Sequence, residues 1–191
     1  MFSDRYFQLR LGLVAENTNQ QVREAMTKML VAQGFTKDQA DKILLKSWKD
    51  NPEVMNFKTT ADLPDIFIRL QKKGIKIAVC TSDSREGTED LLKSENVDHL
   101  VDMVMCGDDV ENVAKPAPDN ILNICKQLDV QPEQAFMIGD TPADTIMGRA
   151  ANTGLTIGVL TGVGVTNDLL DADFVVDNVT DVVDLIDQTK S

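Results

Sequence analysis

Apolar positions Val22, Met26, Met29 and Leu30, with Phe35 just beyond, recur at helical spacing across residues 17–33, and Gly34 supplies a stop. A second helical pattern opens at Thr36, runs through Ala40, Ile43, Leu44 and Trp48, and ends before Pro52. A third covers about 60–73 and stops at Gly74. The rhythm then changes. Short apolar runs at 75–80, 101–106, 135–138, 155–160 and 174–176 read as strands. Helical patterns at 86–94, 118–128, 143–151 and 179–189 separate or follow them, the second with Pro118 at its first turn. Strands alternating with helices predict an α/β fold: a doubly wound parallel sheet with helices on both faces. The helix-rich stretch before it predicts a small helical unit on the N-terminal side, with a junction near 58–75.

Composition narrows the partners. The 191 residues are 42% hydrophobic and 26% charged, enough for one core with a small appended unit. A net charge of −12 argues against a general nucleic-acid surface or an anionic membrane as partner. An anionic substrate would need a metal or a lysine to offset its charge. No apolar run reaches the length of a membrane span. The opening Met-Phe-Ser-Asp-Arg-Tyr has no signal-peptide or transit-peptide character, so a cytoplasmic location is expected. Cys80, Cys106 and Cys125 fit no zinc spacing and read as small buried thiols of a reducing compartment. The sequon at Asn178 reads as chance without secretion.

Three strand ends carry polar residues. The first is Cys80-Thr81-Ser82-Asp83-Ser84-Arg85, where hydroxyls and backbone N–H groups either face a ligand or cap the following helix. The second is Lys115-Pro116-Ala117-Pro118, a stiffened loop whose lysine either neutralises phosphate oxygens or is simply solvated. The third is Gly139-Asp140-Thr141-Pro142-Ala143-Asp144. It places Asp140 on the tip of a buried strand and Asp144 on the first turn of the next helix. In open α/β sheets ligands sit at the carboxyl ends of the strands, and two carboxylates converging there suit Mg²⁺. The plainer alternative is a turn residue followed by a helix N-terminal charge.

In this order and at these separations, the three segments resemble the second, third and fourth motifs of the haloacid dehalogenase-like hydrolases, especially the phosphoglycolate-phosphatase-like branch. Cys80-Thr81-Ser82 looks like the Ser/Thr motif, Lys115-Pro-Ala-Pro the lysine motif, and Gly139-Asp140 through Asp144 the acidic metal motif. Gly158 to Gly162 and Ala172 to Asp177 also match how such chains end, so the resemblance covers about 60–188. It implies Mg²⁺-dependent hydrolysis of a small phosphorylated metabolite through an aspartyl-phosphate. Thr81, Ser82 and Lys115 would bind the phosphoryl group, Lys115 and Thr81 would serve catalysis, and Asp140 and Asp144 would hold the metal. The organisation it implies is an N-terminal segment at 1–14, a helical cap at 15–60 and an α/β core at 61–191 lacking the family's first strand.

The chain departs from the family pattern at one point. The family's first motif is a strand followed by Asp-x-Asp-Gly-Thr, whose first Asp is the nucleophile. No Asp-x-Asp occurs ahead of residue 75. Hydrolysis is therefore expected to be impaired. The alternative is a non-catalytic phosphate- or metabolite-binding or regulatory subunit, as a homo-oligomer or paired with a full-length relative. The family's first strand would lie between 75–81 and 135–139, and its loss would leave unpaired edges inside the sheet. Residues 7–13, Phe-Gln-Leu-Arg-Leu-Gly-Leu, alternate as a strand would, but Gln8 and Arg10 suit a doubly covered strand poorly. His99 reads as a surface histidine, Gly162-Val163-Gly164 as too weak for a dinucleotide loop, Trp48 and the methionines as packing, and 168–173 as a solvated acidic loop.

Overall fold

The computed structural model describes residues 19–49, 59–162 and 164–189; the 7–13 segment lies outside them. Two helices come first, α1 (Asn19–Ala32) and α2 (Lys37–Lys49). Gly34, at φ +98°, takes the left-handed turn that a side chain would resist. The Thr36 hydroxyl accepts from Gln39 N while Gln39 Oε1 accepts from Thr36 N, a reciprocal cap that starts α2. Val22, Ala40 and Leu44 are buried in this hairpin. Met29 is not, at 55% exposed, although its helical spacing suggests packing. Helix α3 (Leu63–Lys72) is capped by Asp62 and ends at Gly74, φ +72°.

The strands form two parallel ladders. β1 (Ala78–Cys80) pairs with β2 (Met103–Met105), Ala78 opposite Met103. β3 (Phe136–Gly139) pairs with β4 (Leu155–Val159), and β4 with β5 (Phe174–Val176). Between them run α4 (Arg85–Ser94), α5 (Asp119–Gln127) and α6 (Pro142–Ala150); α7 (Val179–Thr189) follows β5. Both faces are covered. Met137 packs with Ile121 and Cys125 of α5 and Met147 of α6 on one side. Its neighbour Ile138 packs with Ile157 and with Val182 and Ile186 of α7 on the other. This is the period-two alternation of a strand buried on both faces. A third cluster, Leu92, Val97 and Leu100 with Phe67 and Val104, covers the first ladder.

The architecture is the α/β fold read from the patterning, but among the described residues the sheet is not continuous. β1 and β3 share no strand pairing. Between them lies an apolar cavity of about 670 Å³, with Ile77, Ala78 and Cys80 on one wall and Phe136, Met137 and Ile138 on the other. This explains why Ala78 and Phe136 are exposed inside strands that read as buried.

The first two strands are shorter than their apolar runs for a local reason. Asp102, just before β2, accepts Ile77 N with its carboxylate at 2.7 Å, and its own N–H donates to Ile77 O at 2.8 Å. Asp173, just before β5, does the same to Thr156, at 2.8 and 2.7 Å. The 168–173 run is therefore more than a solvated loop: Asp173 also pairs with Arg149 at 2.6 Å, and Leu169 is 1% exposed. We expect Asp173→Ala to lower unfolding free energy by about 2 kcal/mol, as for hydrogen bonds to a charged group. Asp171→Ala should change it by less than about 0.5 kcal/mol, as for ordinary surface positions. Urea denaturation of the two variants checks both values.

Candidate functional site

The polar residues gather at the carboxyl ends of β1 and β3, where an open α/β sheet offers a ligand site. β1 ends at Cys80, and Thr81 N still donates to Met105 O at 2.9 Å. The Thr81 hydroxyl accepts from Asp83 N at 3.1 Å and lies 3.3 Å from Asp83 Oδ2, which folds the loop into a tight turn. The N-cap of α4 is Ser84, whose hydroxyl accepts from Gly87 N. Capping is thus not the task of Thr81 or Ser82, both half-buried at the strand end.

Lys115 is not a solvated loop lysine. Its side chain is 11% exposed, and its ammonium donates to Cys80 O at 2.9 Å and to Asp144 Oδ1 at 2.7 Å. Burial alone pulls the ammonium's pKa down. The charges of Asp144, Cys80 and Asp140 outweigh it and hold the group above its ordinary value. The same burial pushes the Cys80 thiol up, against the pull of Lys115.

The loop that carries Lys115 is held by a residue the sequence reading passed over. Asn120 is 1% exposed. Its Oδ1 accepts Val113 N at 3.0 Å, and its Nδ2 donates to Val113 O and Asn112 Oδ1 at 2.8 Å each. The available signal was its place four residues before buried Ile124, on the inward face of α5. An amide there has to find partners.

Asp144 is 5% exposed and fully engaged. Besides Lys115, it accepts from the Thr141 hydroxyl at 2.8 Å and Thr141 N at 3.2 Å, while Thr141 Oγ1 accepts Asp144 N, a capping box for α6. The helix-cap reading of Asp144 therefore holds, and the same carboxylate also pairs with Lys115. A Cβ at Gly139 would collide with the Asp144 side chain, and one at Gly162 with the Asp140 carboxylate. Gly164 N donates to Asp140 O at 3.0 Å. The two glycines after β4 thus shape the seat of Asp140.

Lys115 and Asp144 are in direct contact, and the Asp140 charge acts on Lys115 from nearby; Thr81 and Ser82 enter through the loop whose first carbonyl Lys115 grips. Among the described residues no three His, Cys, Asp or Glu groups converge as a metal cage. Two carboxylates with water as the remaining ligands suit Mg²⁺, which keeps much of its hydration shell. The other sequence readings fall outside the site. His99 is exposed beside Asp98, Cys106 and Cys125 are buried free thiols, and no described helix is long and apolar enough to cross a membrane.

Three outcomes follow from this geometry. Lys115→Met should cost about 3 kcal/mol of stability at neutral pH, because it strands a buried carboxylate. The raised Lys115 pKa also gives a sign. The pair's stabilisation is full below the unfolded value, near 10.5, and is lost as pH rises through the folded value. The difference between wild type and Lys115→Met, followed by urea midpoints, should therefore shrink only above about pH 10.5. Gly139→Ala should destabilise by about 2 kcal/mol through overpacking against Asp144, measured in the same way.

The model of the haloacid dehalogenase-like hydrolase family matches residues 6–157. A protein of Caldanaerobacter subterraneus, provisionally named a PpaX pyrophosphatase, is 35% identical over 125 residues, 64% of this chain and 56% of the relative. The pyrophosphatase PpaX of Bacillus thuringiensis is 38% identical over 84 residues, 44% of this chain and 38% of the relative. The matched segments thus span about half the length of these curated relatives, or less. Among solved structures, one from Haemophilus somnus, provisionally named a phosphoglycolate phosphatase, superposes with a TM-score of 0.77 at 16% identity, covering 91% of this chain and 79% of its own. CbbY from Rhodobacter sphaeroides, solved with phosphate, gives 0.55 at 24% identity, covering 61% and 52%. These structural likenesses concern the fold. With the family model matched over most of its length, the chain belongs to the haloacid dehalogenase-like hydrolases.

Proposed function

We propose that this chain is a phosphatase-type phosphoryl-binding protein whose hydrolysis of phosphate monoesters is impaired as its sequence stands. The ligand is a small phosphorylated metabolite, bound above the ends of β1 and β3. The observation that carries this reading is the buried Lys115 ammonium, fixed between Cys80 O and Asp144 at a strand-end site. A fixed, desolvated cation offsets phosphoryl charge without having to reorganise. The names of the relatives, pyrophosphatase and phosphoglycolate phosphatase, and the phosphate in the CbbY structure point to the same ligand chemistry.

In this reading the Thr81 hydroxyl and the Ser82 backbone bind phosphoryl oxygens, and Lys115 balances their charge. Asp140 would ligate Mg²⁺, and Asp144, whose oxygens are bonded to Lys115 and Thr141, would orient the metal site. The chemistry Mg²⁺ supplies when bound is neutralisation and orientation of phosphoryl oxygens. Asp144 remains the partner that keeps Lys115 in place, and Asn120 keeps the lysine loop in place. Among the described residues the arrangement lacks a carboxylate placed to attack phosphorus. Lys115 stabilises charge but cannot form the covalent intermediate. Asp144 is committed to Lys115 and to the α6 cap.

With Mg²⁺ present, the chain should hydrolyse p-nitrophenyl phosphate no faster than a Lys115→Ala, Asp140→Asn double variant. Robust turnover that the double variant abolishes would show that a nucleophile is present after all. Calorimetry should find Mg²⁺ bound with a Kd on the order of millimolar, as for sites of few charges. Asp140→Ala should abolish that binding. Micromolar affinity that survives Asp140→Ala would remove these two residues from the metal site.

A non-catalytic subunit that pairs with another chain is the second reading. The open apolar cavity between β1 and β3 favours it.

A further inference from the structure

The two loops of the candidate site are joined by a second route besides the Lys115 bond. At its centre is the turn at 106–109. Gly107 N donates to Asp83 O at 2.7 Å, and Arg85 N donates to Asp108 Oδ1 at 2.8 Å, so this turn grips the loop that begins at Thr81. Arg85 also forks onto Asp109, which accepts Cys106 N at 2.8 Å. From the turn the route leaves through Asn112. Its Nδ2 donates to Gly107 O at 3.1 Å, and its Oδ1 accepts from Asn120 Nδ2 at 2.8 Å. Asn120 carries it to Val113, two residues before Lys115. Lys115 then closes the circuit on Cys80 O, the carbonyl just before Thr81.

The Asn120 amide does for Val113 what a neighbouring strand would do. It accepts the N–H and donates to the C=O of one residue, which fixes that segment as a hydrogen-bonded strand pair does. It acts from the first turn of α5 and is 1% exposed, where water does not compete for the bonds. It also lies within hydrogen-bonding reach of the Cys80 thiol at the end of β1. Helix capping explains neither asparagine. The N-cap of α5 is Pro118, and Asn112 lies outside the described helices. Lysine carries its charge on a flexible four-carbon stem, so the head is placed only as well as its root. An error of about 1 Å in a group that must meet a ligand can cost about 10²-fold.

We propose that Asn112 and Asn120 are positioning residues of the candidate site, which together hold the Lys115 ammonium at a fixed separation from the Thr81-Ser82 loop. Asn120 sets the root of the lysine. Asn112 ties that root to the turn that grips the other loop. Without Asn120, Val113 loses both backbone partners; without Asn112 it keeps them but loses the tie to Gly107. Phosphoryl binding between hydroxyl and ammonium is the use of this separation and rests on the function proposed above; the separation itself does not.

The test uses the 191-residue chain and its Asn120→Ala and Asn112→Ala variants, with Asp173→Ala as a destabilising control outside the circuit. Brief acetylation with acetic anhydride, read residue by residue by mass spectrometry, reports how firmly Lys115 is held. Exposed Lys93 and Lys126 serve as internal references. Relative to them, Lys115 should react about tenfold faster in Asn120→Ala, the factor that one or two lost hydrogen bonds correspond to. Asn112→Ala should give a smaller rise and speed hydrogen exchange at Gly107, whereas Asn120→Ala should speed it at Val113. Asp173→Ala should leave Lys115 protected. A Lys115 rate unchanged in both asparagine variants would overturn the proposal. So would an equal rise in Asp173→Ala, because the effect would then be lost stability alone. If Asn120→Ala does not fold, Asn112→Ala decides: an unchanged Lys115 rate with unchanged exchange at Gly107 overturns the proposal. Titration with inorganic phosphate and Mg²⁺ separates this role from the function it serves. Wild type should bind phosphate, and Asn120→Ala should bind it about tenfold more weakly. Equal, measurable binding by both overturns the positioning role and leaves the phosphoryl reading standing. Binding by neither overturns that reading, while acetylation still decides how Lys115 is held.

Discussion

The contact on which the site depends is the buried Lys115 ammonium held by the last carbonyl of β1 and by Asp144 at the start of α6. One cation joins the two ladders at the point where their pairing is interrupted. In a low-dielectric setting such a group is tolerable only with partners, and each partner fixes something else. The Cys80 carbonyl fixes where the Thr81-Ser82 loop begins. Asp144 fixes the first turn of α6 through Thr141. Removing any member leaves a buried charge or a broken cap, so the site and the local fold are one cooperative unit.

Around this pair the chain spends short polar side chains on backbone groups. Asp102 and Asp173 each brace the neighbouring segment at the start of a ladder. Asp109 and Arg85 close the end and outer side of β2; Asp109 accepts Cys106 N, and the Arg85 hydrogen bond lowers its pKa. Among the described residues no buried side-chain nitrogen or oxygen lacks a partner. Against that thorough pairing, the inner strand edges stand out, because among the described residues they meet an apolar cavity and no strand.

The two features bear on function together. The Lys115–Asp144 pair sits at the end of the same gap that breaks the sheet among the described residues, and Cys80 belongs to both: its carbonyl takes Lys115 and its residue lines the cavity.

The sequence by itself determined the element types and their order, because helical and strand periodicities and Gly or Pro stops are local properties. It also marked Asp140 as a polar residue ending an apolar run at a strand tip, and Lys115 and Asp144 through the motifs they resemble. Partners distant in the chain were decided only by the tertiary structure. Asn120 looks like any amide in a first helical turn until Val113 folds over it. Gly162 and Gly164 look like a weak nucleotide signal until Asp140 packs against them. Asp173 looks solvated until Thr156 and Arg149 arrive. The break between the ladders has the same character. Each strand carries the same apolar run whether its neighbour is present or absent, so pairing is a property of two segments in space and of neither one alone.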